Sequence, residues 1–478
     1  MKKAFAVLLA LVGFVIPVFA YDFEVEGLYY SFNTNSWGEV YVTFGDQTYS
    51  GEVVIPETVT YEGATYAVTE IGTNAFRDCT ELTAITLHDS LKGIGGCAFM
   101  GCTALYDVRI PGSVLNVNAN SFKNTGWFNS QPDGLLYLDG WCLGLKGNQP
   151  FEELSIAEGT LRLAEGAFYE NATLVSVTLP NSLVRVGYFS FSYCSQLRHV
   201  DFGTSVEEIG SNAFKYCTSL DSVHLPESVT RIETWAFTYC SSLSDLVLPN
   251  SITTIEDCAF VGCYRLKHLD LPNSLTEIGY DVFDGAGLKS IVIPEGVVSI
   301  GNLAFTSCDS LSSVVFSQTV AEIGYAAFRD CGSLASVTCL GSIPASLDRD
   351  GMYHDVTSFD LWNTAVLVVP CGFAETYRNS DWGEVFETII EDCEGVSETT
   401  RLVSVFPNPA QALVHVEGIE AEQIEVYNVL GQLEKTLQKT IKINVGDLPE
   451  GVYLLRITDA EGKGLTKRVL VSRENIAK

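Results

Sequence analysis

Positive charge is scarce in this chain. Lysine and arginine number 28 against 59 aspartates and glutamates, a formal net charge of −31 at pH 7. The deficit is uneven: residues 401–478 hold ten of each sign, whereas residues 21–400 hold 16 basic and 49 acidic residues. A body this acidic repels nucleic acid and anionic lipid, so neither is expected as a partner. It favours basic partners or divalent cations, and it equally serves to keep an exported chain soluble. Histidine is also scarce, with six copies, none in a recognised catalytic motif. Phosphate loops, nucleophile elbows and metalloprotease helices are absent. The 14 cysteines include no C-x-x-C spacing, which removes the commonest zinc signatures. These absences point away from an enzyme and call for no cofactor.

Long apolar runs are confined to the start of the chain. Lys2-Lys3 precede an apolar stretch from Ala4 to Val18, then Phe19-Ala20. This reads as a signal peptide, residues 1–20, cleaved near Ala20. Tyr21 would then come first, and the missing cysteine there argues against a lipid anchor. No later run is long enough to span a bilayer, so an exported protein without a transmembrane segment is expected.

What is abundant is repetition. A phenylalanine returns at Phe76, Phe99, Phe122, Phe168, Phe191, Phe214, Phe237, Phe260, Phe283, Phe305 and Phe328. Eight of the ten steps are 23 residues, one is 46 and one is 22. A unit this short cannot bury its own apolar face, so it must stack on copies of itself as a solenoid. Counting from Phe214 as zero, apolar residues fall at Leu220, Val223, Leu225, Val229, Ile232 and Ala236. Val223 and Leu225 share one side of a short strand, which Pro226 ends because it lacks an N–H. The three-residue spacing of Ala-Phe-x-x-Cys predicts a helical or 3₁₀ turn on the opposite side. The expected fold is a β-rich α/β solenoid of about 23 residues per turn.

Eight cysteines share the third position after the phenylalanine: Cys79, Cys102, Cys194, Cys217, Cys240, Cys263, Cys308 and Cys331. Parallel Cβ vectors suit bridging poorly, so these are expected to be free, buried filler. Asn171 and Ala286 take the same position in two other rungs. Cys371 and Cys393 lie outside the repeat and are the better disulfide candidates.

Outward positions carry the candidate sites. His199, Asp245 and His268 fall at +8, and Asp201, His224 and Asp270 at +10, all within about 15 Å. Such a patch suits a divalent ion or a charge change near neutral pH. Ligands on a flat sheet rarely converge, and a hydrated polar face is the competing reading, so no metal site is assigned. Tyr193, Tyr216 and Tyr239 occupy +2 on consecutive rungs, where they would grip a sugar or protein edge, or stiffen the turn. One rung lacks its phenylalanine and carries residues 126–150 instead. Asp139-Gly140 between apolar runs predicts a hairpin there. A small β excursion is expected, with Trp127 and Trp141 as further ligand-face candidates.

The stretches LPESVTRIETWAFTYCSSL (225–243), LPNSITTIEDCAFVGCYRL (248–266) and IPEGVVSIGNLAFTSC (293–308) resemble the BspA-like class of bacterial leucine-rich repeat. The resemblance spans residues 67–345. It implies a β N-terminal cap at 21–66 and a C-terminal cap and linker at 346–400, with a short helix around Ala374–Arg378. The class is associated with bacterial surface proteins that bind host proteins or other cells.

Residues 401–478 alternate apolar and polar between Gly, Asn and Asp turns, which predicts a separate antiparallel β-sandwich. Phe406-Pro407-Asn408-Pro409, Tyr427 through Gly431-Gln432, Leu448 through Gly451-Val452-Tyr453, and Lys467-Arg468 through Val471 resemble the type IX secretion sorting domain. That resemblance implies contact with the type IX machinery and display on the outer face of the outer membrane. The expected protein is a non-catalytic surface adhesin for host extracellular protein, glycan or other cells. The alternatives are a structural spacer or surface-layer component and, last, a hydrolase.

Overall fold

The computed structural model describes residues 21–147, 149–348, 358–359 and 365–393, and most of 404–471. The expected signal peptide and the linker at 394–400 lie outside the described residues. The chain divides into two compact units, Met1–Ser251 and Ile252–Lys478, and both are built on the same turn.

The rung of Phe214, in the first unit, shows how the sequence forms it. Strand Ser222–His224 turns Val223 into the core and pairs in parallel with Asp245–Val247. After Pro226 the chain reverses, and the Val229 N–H donates to the Pro226 carbonyl at 3.0 Å. A two-residue strand, Arg231–Ile232, then pairs in parallel with Glu208–Ile209. Leu220, Val223, Val229, Ile232 and Ala236 are fully buried, so every apolar column read from the sequence points inward. A further column lies 14 residues after most of the phenylalanines, where Ser182 and Ser228 hydroxyls donate to Thr160 and Val206 carbonyls at 2.8 and 2.6 Å.

The Ala-Phe-x-x-Cys segment departs from expectation. It forms consecutive turns rather than a 3₁₀ helix. Residues two before and two after the phenylalanine take left-handed backbone in all rungs but that of Phe122, where only Asn124 does: Asn212 (φ 57°) and Tyr216 (φ 59°) flank Phe214, and Trp235 (φ 60°) and Tyr239 (φ 57°) flank Phe237. This alternation splits the N–H groups into two sets. Ala213, Lys215 and Cys217 donate three residues back, at 3.1–3.2 Å. Phe214 and Tyr216 instead donate at 2.8 Å to Ala236 and Thr238 of the next rung. A 3₁₀ helix would spend both sets internally, whereas this turn adds a third ladder between rungs.

The phenylalanines stack in files. In the first unit Phe76, Phe99 and Phe122 follow with ring centroids 5.1–5.4 Å apart, and past the excursion Phe168, Phe191, Phe214 and Phe237 follow at 5.1–5.2 Å. In the second, Phe260, Phe283, Phe305 and Phe328 follow at 5.1–5.6 Å. The first and last files have an aromatic end piece that the period does not announce. Tyr49, held by its hydroxyl to the Thr43 carbonyl (2.8 Å), lies 4.5 Å from Phe76. Phe359 stacks on Phe328 at 5.0 Å, and buried Trp382 closes over it with its indole N–H on the Ala345 carbonyl (2.8 Å).

The eight cysteines of the repeat column are free and buried, and they do more than fill space. The thiols of Cys102, Cys194, Cys217 and Cys240 donate to the carbonyls of Phe76, Phe168, Phe191 and Phe214 at 2.9–3.2 Å. Cys308 and Cys331 do the same to Phe283 and Phe305, each at 3.2 Å. Each thiol therefore satisfies the carbonyl of the ladder phenylalanine one rung earlier. Asn171 stands where no phenylalanine precedes, and its side chain instead accepts the Thr173 and Leu174 N–H groups at 3.1 and 3.2 Å. Burial pushes the Cys102 and Cys194 thiols up to about 12, so they stay protonated donors.

At the start of the first unit, strands Phe23–Val25, Leu28–Phe32, Glu39–Thr43, Thr58–Tyr61 and Ala64–Ile71 share one sheet. In the second unit, strands Ser290–Ile293, Ser313–Phe316, Ser336–Cys339, Val366–Pro370 and Thr388–Asp392 form one parallel sheet. Helices Ala374–Arg378 and Trp382–Val385 follow the fourth of these strands, and Cys371 is disulfide-bonded to Cys393. From Ser404 on, strands pair antiparallel in sheets of three and four around buried Val414, Ile424, Val426, Leu455 and Val469.

Candidate recognition surface

The +2 tyrosines form a rail. Tyr193, Tyr216 and Tyr239 stack with centroids 4.8 Å apart and planes within 17°. At this spacing each ring covers the next, so the rail offers ring edges and hydroxyls to solvent rather than open faces. Tyr193, 42% exposed, is met edge-on by Tyr169 at 5.7 Å. Beside the rail, the Lys215 ammonium lies 4.5 Å from the ring of Trp235, itself 42% exposed. The sequence reading missed Trp235 and Lys215, although the two-before position of Trp235 marks it as a turn residue. All three rail tyrosines are left-handed, with φ of 57–62°. Glycine occupies the same position in other rungs as Gly101, Gly262 and Gly285.

The histidines of the strand face pair with carboxylates between rungs. His224 Nε2 lies 2.8 Å from Asp245, and His199 Nδ1 lies 3.6 Å from Asp221, which the sequence reading left out. Asp201 is exposed at the end of strand His199–Asp201. In the second unit His268 is half-buried and Asp270 exposed. Among the described residues, the one set of three ligand atoms within 4.8 Å is Cys371, Glu391 and Cys393, where both sulfurs are spent in the disulfide. The His/Asp rows thus stitch neighbouring strands in pairs.

The excursion forms as a hairpin. Strands Gly134–Leu138 and Trp141–Lys146 pair antiparallel about Asp139 (φ 46°) and Gly140 (φ 82°). A helix, Gly126–Ser130, precedes it, with the Thr125 hydroxyl accepting the Phe128 N–H at 3.0 Å. Trp141 is not a surface residue: it is 3% exposed, because its strand joins the parallel ladder through Arg162–Leu163. Trp127 is half-buried, edge-on to Phe122 at 6.2 Å. The hairpin thus replaces a rung's short strand, and its tryptophans face the body.

In the C-terminal part, Pro407, Asn408, Pro409 and Gly431 lie outside the described residues. Gly451 opens strand Gly451–Asp459, and the buried Tyr453 donates its hydroxyl to the Pro449 carbonyl at 2.9 Å. Lys467 and Arg468 lie on the final strand, opposite Leu455 and Leu454.

With this geometry in place, comparison with known proteins is direct. The BspA type leucine rich repeat region matches residues 47–130, 146–264 and 234–347, more than half of the chain. The secretion system C-terminal sorting domain matches residues 404–472. Among solved structures, a leucine-rich repeat protein from Bacteroides ovatus ATCC 8483 is 23% identical, covering 66% of this chain and 94% of that one, with a TM-score of 0.32. A leucine rich cell surface protein from Faecalibacterium prausnitzii A2-165 is 24% identical over 67% of this chain and 94% of that one (TM-score 0.30). Pneumococcal vaccine antigen PcpA is 16% identical over 78% and 98% (TM-score 0.35). A curated relative, beta-agarase D from Zobellia galactanivorans, is 26% identical over 121 residues, 21% of this chain. The chain spans only about a quarter of that relative's length, 25%. Stacked phenylalanines, a column of thiols on phenylalanine carbonyls and the matched repeats agree: this chain belongs to the BspA-type leucine-rich repeat family and is a secreted surface protein carrying a type IX sorting domain.

Proposed function

We propose that the solenoid is a non-catalytic recognition element, binding a host extracellular protein, a glycan or another cell along the tyrosine rail. The observation that carries this reading is the aligned tyrosine stack itself. The left-handed position two after the phenylalanine belongs to the repeat and takes glycine in other rungs. Three consecutive rungs fill it instead with tyrosine, which sets three stacked rings in a row beside Lys215 and Trp235. Tyrosine edges, a lysine and an exposed tryptophan are what a protein or sugar surface engages. The sorting domain supports the same reading by bringing the rail outside the cell through the type IX machinery.

The test is binding of the mature chain to arrays of matrix proteins and glycans, beside a variant with Tyr193, Tyr216 and Tyr239 all changed to glycine. Glycine accepts the same φ, so the variant keeps the fold. Saturable binding by the wild type, lost in the variant, is expected. No saturable binding by either would return the protein to a spacer, and turnover of an arrayed substrate would overturn the non-catalytic reading.

A further inference from the structure

Strand Gly51–Val54, the outer strand of a two-stranded parallel sheet, has one open edge. It pairs with Leu82–Thr86 alone among the described strands. The Gly51 and Ile55 N–H groups donate to the Glu81 and Thr86 carbonyls at 2.8 and 3.0 Å. By the alternation of a strand, the backbone groups of Glu52 and Val54 point the other way. Both side chains are exposed, Val54 at 65%.

That edge forms one wall of an open cleft of 770 Å³, whose other walls are the Phe23–Phe32 hairpin and strand Thr58–Tyr61. The four-residue edge Gly51–Val54 can pair with an extended segment of similar length, at about 3.3 Å per residue. Its lining holds Glu24, Glu26 and Glu52 and not one lysine or arginine. All three glutamates are exposed, and none takes part in an ion pair among the described residues.

We propose that this cleft receives an extended, cationic segment of a second protein, which adds as a strand to the Gly51–Val54 edge. The unpaired N–H and C=O groups of Glu52 and Val54 supply main-chain hydrogen bonds, as in other strand additions. The rim glutamates favour a cationic strand: Glu52 and Val54 share one face, so lysine or arginine side chains on that face of the added strand meet Glu52 with their charge and exposed Val54 with their aliphatic stems. A second copy of this chain is a poor occupant: edge-to-edge pairing would set each copy's Glu52 against the other's and bring two acidic rims together. The site is separate from the tyrosine rail, so it stands or falls independently of the function proposed there.

The test uses the mature full chain and fluorescein-labelled peptides in 150 mM salt, a level that screens loose charge contacts. The probe is an eight-residue peptide alternating lysine and valine. One control alternates glutamate and valine. The other keeps the four lysines but carries proline at the valine positions, so it has the charge and cannot form a strand. Saturable binding of the probe alone is expected, by fluorescence anisotropy. Two variants then divide the contributions. Glu52→Lys together with Glu24→Lys should weaken binding about tenfold or more, equivalent to about 1.4 kcal/mol. Val54→Pro removes an outward N–H without touching the Leu82–Thr86 ladder and should weaken it as much. Circular dichroism melts of both variants guard against misfolding; if Val54→Pro melts early, the charge variant decides. Equal binding of the proline control, or unchanged affinity in the folded charge variant, would overturn the proposal. So would a concentration-dependent dimer by sedimentation that excludes the probe.

Discussion

Phe214→Ala is the sharpest probe of the stack. Phe214 is fully buried, and its ring meets Phe191 and Phe237 at 5.2 Å each and the edge of Phe202 at 5.8 Å. Truncating a buried phenylalanine costs about 3–5 kcal/mol, the high end applying where the surroundings cannot close over the void. Here they cannot. The rungs on either side are held at the parallel-strand spacing by ladders on three sides, so Phe191 and Phe237 cannot approach each other. The lost ring–ring geometry adds about 0.5–1.5 kcal/mol per pair, partly counted already in the truncation. The expected loss is about 5 kcal/mol, against about 1.5 kcal/mol for Phe214→Leu, which keeps most of the volume. A repeat array does not unfold in one step, so a single global midpoint would blur the effect. Hydrogen exchange resolves it: amides of Ser222–His224 should lose protection strongly, while those of Leu28–Phe32 should change little. An alanine variant no worse than the leucine variant, or a uniform loss throughout the first unit, would refute the stacked-file account.

Other outcomes follow from the same geometry. The ladder thiols, pushed up by burial, should resist iodoacetamide at pH 8.5 in the native protein and react fully in urea, by intact-mass counting. Cys217→Ala should cost about 2 kcal/mol, because it strips the donor from the Phe191 carbonyl as well as removing sulfur volume; a neutral result would return the ladder to simple filler. Cutting the Cys371–Cys393 bridge with Cys371→Ser, which frees a 22-residue separation, should lower stability near the second unit's helices by about 3 kcal/mol, read as faster proteolysis there. Asp281 is pushed up to about 6, first by burial and then by the Asp284 carboxylate. The folded state therefore holds its proton to higher pH, and this stability is lost as pH rises from about 4 through 6. Asp281→Asn should raise stability at pH 7.5 by about 1 kcal/mol after solvent screening, read as a higher melting temperature, and leave it unchanged at pH 4.

Much of this was readable from the chain because a stacked repeat reports each column many times. Buried columns such as Val223 and Ile232 recur at fixed offsets, so pattern and packing coincide. The turn was misread because a three-residue spacing fits a 3₁₀ helix, while the left-handed pairs that decide against it, Asn212 with Tyr216 and Trp235 with Tyr239, include tyrosine and tryptophan, residues that give no such signal. Phe359 escaped the period because it stands 31 residues after Phe328, beyond an inserted stretch. The cysteine column was placed correctly and understood incompletely: its donor role depends on a carbonyl one rung away, which spacing alone does not reveal. Trp141 illustrates the converse, since a hairpin signal locates the turn without saying which face its strand buries.

The central claim is that this repeat solenoid works outside the cell because its last domain takes it there. Protease shaving of intact cells, followed by blotting for the repeat region, tests that most directly. The full chain should be cleaved from the surface, whereas a chain lacking residues 401–478 should be protected until the outer membrane is opened. Equal shaving of both would contradict the account.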